Sequence, residues 1–138
     1  MPQRDYLMQQ LEEMGYFLSG ILRRFLKLKE ENREEEITSV LHDAIQEKLS
    51  FSIDEAIELK DDDFLKLIKE QIKPENHLET MAELLLVTGK SIHSFVSPVR
   101  LSYLQKSLLL YTHLQETSTN FSFERKDKIL EIQQIIRG

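Results

Sequence analysis

The sequence predicts an all-α protein of six or seven antiparallel helices arranged as helical hairpins, and three observations carry that expectation. Leu7, Leu11, Met14, Leu18, Ile21, Phe25 and Leu28 follow one another in steps of four and three, which only a helix brings onto one side. The 138 residues include 4 Gly and 3 Pro, and strand-type alternation is nowhere sustained. Capping residues precede each later apolar series.

The elements follow in order. An opening helix is expected from Gln3 to Lys29, with the charge-dense segment Glu30 to Glu36 behind it. Asn32 with Glu35 reads as an N-cap and its reciprocal partner, starting a helix that carries Ile37, Val40, Leu41, Ala44, Ile45 and Leu49. Ser52 with Glu55 starts a short helix with Ile53, Ala56 and Ile57. Asp61 or Asp62 is expected to cap the next, which shows Phe64, Leu65, Ile68 and Ile72 and stops before Pro74. Asn76 with Glu79 forms a third capping box, opening a helix with Leu78, Met81, Ala82, Leu85 and, beyond Gly89, Ile92. Ser97 ahead of Pro98 starts the series Leu101, Leu104, Leu108, Tyr111 and Leu114. Ser122 caps a last helix whose inner side is Ile129, Ile132, Ile135 and Ile136.

Composition bounds the function. One chain of this length, 41% hydrophobic, supplies a single core without staples, so residues 1–138 are expected to form one domain. Within it, 1–31 hold the long helix and acidic linker, 32–73 short helices and 74–138 a helical C-terminal portion. The absence of Cys removes disulfides, thiolate metal sites and a Cys nucleophile together. No secretion signal or spanning apolar run is visible, so a cytoplasmic protein is expected. Charge is unevenly spread: residues 1–29 carry five Arg/Lys against three Asp/Glu, 30–83 six against 17, and 84–138 seven against four. That acidic middle repels a phosphate backbone, and no nucleic acid is expected as a partner.

No catalytic or cofactor motif survives inspection. His42, His77, His93 and His113 fall on different expected helices without metal-ligand spacing, and His77 beside Glu75 and Glu79 reads as part of a helix start. Asp61, Asp62 and Asp63 lack the Gly and distal Glu of a calcium loop. No Ser lies in a nucleophile elbow. No catalytic residue, metal ligand or cofactor is expected, and an enzyme reading would need His113, Glu116 and an Asp to converge in a pocket.

Within Asn76 to Leu114, the small and apolar residues Gly89, Ile92, Leu104, Ser107 and Leu108 resemble those of a tetratricopeptide repeat, with Arg100 near the place where that motif takes Ala. Only one such unit is visible, so the other helices must complete its core. Along its whole length the chain resembles a family of small uncharacterised bacterial proteins. The resemblance lies in Asp5-Tyr6-Leu7-Met8 with Gln10, Glu13 and Leu18, in Ser52-Ile53-Asp54, and in Asp61-Asp62-Asp63-Phe64-Leu65. Ala82-Glu83-Leu84-Leu85 with Gly89, and Ser107-Leu108-Leu109-Leu110-Tyr111, extend it. It implies an N-terminal helical segment followed by a tetratricopeptide-like C-terminal portion, and no activity.

Two surfaces are expected to bind partners. Arg100, Tyr103, Lys106 and Tyr111 are candidates to line a groove on the C-terminal hairpin, because aromatic and Arg side chains dominate interface energetics. On the opening helix, a second apolar row with Met8, Leu22 and Leu26 lies beside Arg23, Arg24 and Lys27, a pattern that suits pairing with a second copy or contact with a membrane surface. The expected function is a non-catalytic interaction module that binds a partner helix or peptide and self-associates. The alternative is a peripheral membrane-surface protein attached by its basic amphipathic helix.

Overall fold

A computed structural model describes residues 2–138, and all of its regular structure is helical. Seven α-helices follow in order: α1 (Pro2–Glu30), α2 (Ile37–Leu49), α3 (Ile53–Ala56), α4 (Asp61–Gln71), α5 (His77–Ser91), α6 (Pro98–Thr117) and α7 (Phe123–Arg137). A single 3-10 turn, Glu34–Glu36, leads into α2. Among the described residues there is no strand, and no helix is long and apolar enough to cross a membrane.

The core is organised around α5. Its residues Leu84, Leu85, Leu86, Val87, Thr88 and Gly89 are all buried, so this stretch is covered on every side. A helix that is apolar all round can be stable in water only inside other elements. α1 and α2 cover one flank with Leu18, Ile21, Phe25 and Leu28, and with the single stripe Ile37, Leu41, Ile45 and Leu49. α6 covers the other with Tyr103, Leu104, Ser107, Leu110, Tyr111 and Leu114. Of the row expected on α6, Leu104, Tyr111 and Leu114 are buried, whereas Leu101 is exposed and Leu108 half-buried, and Leu110 takes an inner place.

Directions follow from residue pairs. Leu104 meets Gly89 and Tyr111 meets Glu83, so rising numbers on α6 match falling numbers on α5 and the two are antiparallel. On α7, Arg125 pairs with Glu79, Lys128 with Glu83 and Glu131 with Lys90, which lays α7 parallel to α5 and antiparallel to α6. Opposite charges thus pair along the whole edge, with Arg125 and Lys128 of α7 on carboxylates of α5 and Glu131 on Lys90.

The caps divide into two groups. Ser52, Ser97 and Ser122 each accept a hydrogen bond from the amide three residues on, at 3.3, 3.2 and 3.1 Å, as the sequence predicts. The other three expected caps do not form. Asn32 has φ +57° and ends α1: the Arg33 amide donates to the Leu28 carbonyl at 2.8 Å, and the Asn32 amide to that of Lys29 at 3.2 Å. That is a Schellman closure with Asn in the left-handed place, where its short polar side chain is tolerated. Asp61 and Asp62 lie inside the first turn of α4, complementing its dipole, while Lys60 takes the cap position. Asn76 makes no side-chain cap bond, because the turn before α5 is closed by backbone bonds from His77 to Pro74 and from Leu78 to Glu75.

Two glycines permit close helix approach. A Cβ at Gly15 of α1 would come within 2.9 Å of the His77 ring, whose Nε2 donates to the Leu11 carbonyl at 3.0 Å; the expected helix-start role of His77 is thus joined by one of docking α5 on α1. A Cβ at Gly89 would sit 2.9 Å from Leu104 Cδ2 and 3.3 Å from Tyr103 Cβ. Leu104 is 1% exposed and cannot yield outward. Gly89→Ala recovers about 1 kcal/mol of helix propensity but meets an overpacking cost of about 1–3 kcal/mol. The expected outcome is a net destabilisation of about 1 kcal/mol, read as a lower urea midpoint at unchanged slope.

Candidate interaction surface

The structure separates the residues named on α6. Tyr103, Lys106 and Tyr111 are 0%, 7% and 2% exposed, so they do not line an open groove. Each is drawn inward by a carboxylate on another helix. Lys106 Nζ lies 2.9 Å from Asp61 Oδ1 and 5.7 Å from the centre of the Phe64 ring, joining α6 to α4. The Tyr111 hydroxyl donates to Glu83 Oε2 at 2.8 Å, and that of Tyr103 to Asp54 Oδ1 at 3.5 Å. Burial pushes both phenols well above the ordinary tyrosine value, and the neighbouring carboxylates add to it. Arg100 is half-buried with its guanidinium 5.5 Å from the ring centre of Phe95, in the turn between α5 and α6 where Phe95 and Val96 are 90% and 89% exposed.

The four histidines each lie against a residue of a different segment. His113 Nε2 is 3.8 Å from Glu75 Oε1, and Glu116 is exposed. His42 Nδ1 is 3.0 Å from Asp54 Oδ2, so Asp54 ties α2 and α6 to the short α3. Among the described residues, no three His, Asp or Glu side chains gather as metal ligands do.

Candidates on α1 are placed differently. Met8 and Leu26 are 53% and 48% exposed, Leu22 is half-buried, and Arg23, Arg24 and Lys27 face solvent. The main apolar row is divided as well. Leu18, Ile21, Phe25 and Leu28 are in the core and Met14 is half-buried, whereas Leu7 and Leu11 are exposed. Length explains the division: 29 residues of α1 extend about 43 Å, while 15 residues of α5 extend about 22 Å.

Along one flank of α1 runs a trough that the sequence does not announce. At its base Leu7, Leu11 and Met14 face Lys48, Leu49 and Lys73 across about 480 Å³. In the middle Tyr16, Phe17, Gly20, Ile21 and Arg24 face Asp43, Ala44, Glu47 and Lys48 across about 630 Å³. At the top Arg24, Lys27 and Leu28 face Arg33, Glu36 and Val40 across about 330 Å³, and the hydrogen bond from the Arg33 guanidinium holds the Glu36 carboxyl below its ordinary range. Lys48 borders the first two clefts and Arg24 the last two, so the three adjoin one another along α1. α2 supplies the far wall: its stripe Ile37, Leu41, Ile45 and Leu49 is in the core, and the half-buried Val40 and Ala44 lie at the edge of the trough.

Gly20 lies on the floor of this trough. A Cβ there would meet nothing nearer than Arg23 Nη2 at 3.8 Å, so no neighbour in this chain requires a glycine. Mid-helix glycine costs about 0.5–1 kcal/mol relative to alanine. Gly20→Ala is expected to raise stability by that amount, as measured by urea unfolding. The buried phenols set a second expectation. Above pH about 10, where tyrosine in the unfolded chain ionises, the folded chain keeps its two protons, so stability is whole below that pH and falls above it. Tyr111→Phe is expected to make that alkaline decline shallower when unfolding free energies are compared between pH 9 and 11.

Compared with known protein families, characterised proteins and solved structures, the chain matches none of them.

Proposed function

We propose that the protein is a non-catalytic interaction module that receives an apolar helical segment of a partner protein in the trough between α1 and α2. The observation that carries this reading is the trough itself. Its floor of Phe17, Gly20, Ile21 and Ala44 is apolar and low, and its rim alternates Arg24 and Lys48 with Asp43 and Glu47. From Leu7 to Leu28 its three adjoining clefts together span about 30 Å, the length of a helix of about 20 residues. A helix laid there would present apolar anchors every three or four residues to the floor and read both signs of charge at the rim. Gly20 lets the partner backbone approach closely, which gives the open mid-helix glycine a purpose. The hairpin of α5 and α6, in which Gly89 and Ser107 stand like the small residues of a tetratricopeptide unit, serves as the frame that carries α1.

Attachment of α1 to a membrane surface has less to draw on. Leu18, Ile21, Phe25 and Leu28 are engaged in the core, so beside Arg23, Arg24 and Lys27 only Leu26 is exposed and Leu22 half-buried, while Leu7, Met8 and Leu11 stand free nearer the other end of the helix. An interfacial helix needs a broad apolar face free for the lipid.

The test compares affinity capture by the full chain and by its Gly20→Leu variant, which fills the trough floor where the structure has room. Mass spectrometry is expected to find a protein retained by the wild type and lost from the variant, with the variant's thermal midpoint not lowered. Identical captured sets from the two proteins would overturn the proposal.

A further inference from the structure

Opposite the trough, α1 carries a second row that is exposed at Met8, Glu12 and Leu26 and half-buried at Ser19 and Leu22. Met8, Glu12, Ser19, Leu22 and Leu26 recur every three, four or seven residues on that side, with Met8 53% and Leu26 48% exposed. Asp5 and Glu12 lie toward one end of this row and Arg23 and Lys29 toward the other; all four are exposed. Among the described residues Glu12, Arg23 and Lys29 enter no ion pair of this chain.

We propose that this face is an interface between two copies of the chain, in which the α1 helices lie antiparallel across a two-fold axis near residue 17. Antiparallel pairing about that point sets each position opposite the one whose number completes 34 with its own. Met8 then meets Leu26 of the second copy, Asp5 meets Lys29, and Glu12 falls within a residue of Arg23. The two-fold makes every such pair occur twice. Parallel pairing has none of this: it would set Arg23 against Arg23 and Glu12 against Glu12, with like charges opposed along the seam. The charge gradient also suits the dipole of α1 itself, but a dipole does not account for Met8 and Leu26 both standing in solvent on one side of the helix. In the proposed pair the apolar contacts supply the adhesion and the charges select direction and register.

Because this face and the trough lie on opposite sides of α1, the two proposals fail separately. The full-length chain is expected to run as a dimer in size-exclusion chromatography with light scattering. Glu12→Lys and Arg23→Glu are each expected to weaken self-association at least about tenfold, and an equal mixture of the two to restore the dimer, since their charges then oppose each other correctly. The chain contains no Cys, so introduced thiols report contacts directly. Met8→Cys mixed with Leu26→Cys is expected to form a disulfide-linked pair under mild oxidation, and Met8→Cys alone is not. A monomeric wild type at high concentration overturns the proposal, as does efficient cross-linking of Met8→Cys to itself. Neither result would alter what Gly20→Leu does to partner capture.

Discussion

The enclosure of α5 is the constraint from which the rest of this structure follows. Six consecutive residues, Leu84 to Gly89, are withdrawn from water, and a helix offers such residues in every direction around its axis. One partner helix cannot cover that surface. α6 takes the side opened by Gly89 and α1 docks where His77 lies over Gly15, while α2 packs onto a further side and α7 follows the charged edge. Burial of apolar area, at about 25 cal/mol per Å², drives this arrangement, and the glycine contacts decide how near each neighbour comes.

The same constraint explains where free surface remains. A central helix of 15 residues cannot occupy the full length of a 29-residue neighbour, so the first turns of α1 extend past the core with Leu7 and Leu11 uncovered. α2 packs on both α5 and α1, and its exposed or half-buried residues Asp43, Ala44, Glu47 and Lys48 form the far side of the trough. Exposed apolar surface here is what the core does not need, and on α1, the longest element, it includes Leu7, Met8, Leu11 and Leu26.

How far the sequence revealed this depends on whether the deciding contact was local. Helix periodicity is local, and each of the seven helices stands where an apolar series implied it. The serine caps are local too: a hydroxyl three residues before an amide needs nothing from the remainder of the chain. Asn32 misled because the same residue type serves a helix end when its backbone turns left-handed, and proximity to Glu35 does not show which role applies. Tyr103, Lys106 and Tyr111 misled for another reason. Their chemistry suits an interface as well as a core, and the carboxylates that draw them inside, on Asp54, Asp61 and Glu83, lie 49, 45 and 28 positions away in the chain. Met8 and Leu26, by contrast, stood off the main row in the sequence and stand in solvent in the structure. The trough was not legible at all, since it exists only in the gap between two helices that pack on a third.

The buried polar groups of α6 resolve a problem that an apolar interface creates for itself. Leu84, Leu85, Leu86 and Val87 present a nearly uniform surface, and α6 displaced by one turn, about 5.4 Å, would still find hydrocarbon to pack against. It would not find its hydrogen-bond partners. In the observed register the Ser107 hydroxyl donates to the Ala82 carbonyl at 2.7 Å, Tyr111 reaches Glu83, and Lys106 reaches Asp61. A slip would leave these groups buried and unpaired, at about 1–3 kcal/mol each and more for the charged ones. Against a total stability of about 5–15 kcal/mol for a domain, such a penalty is decisive. The apolar residues therefore make α5 and α6 adhere, and the tyrosine, lysine and serine side chains determine where. Their role is to hold the hairpin in one register, so that α1, docked on it through His77 and Gly15, carries its two open faces at a constant angle to the rest of the molecule.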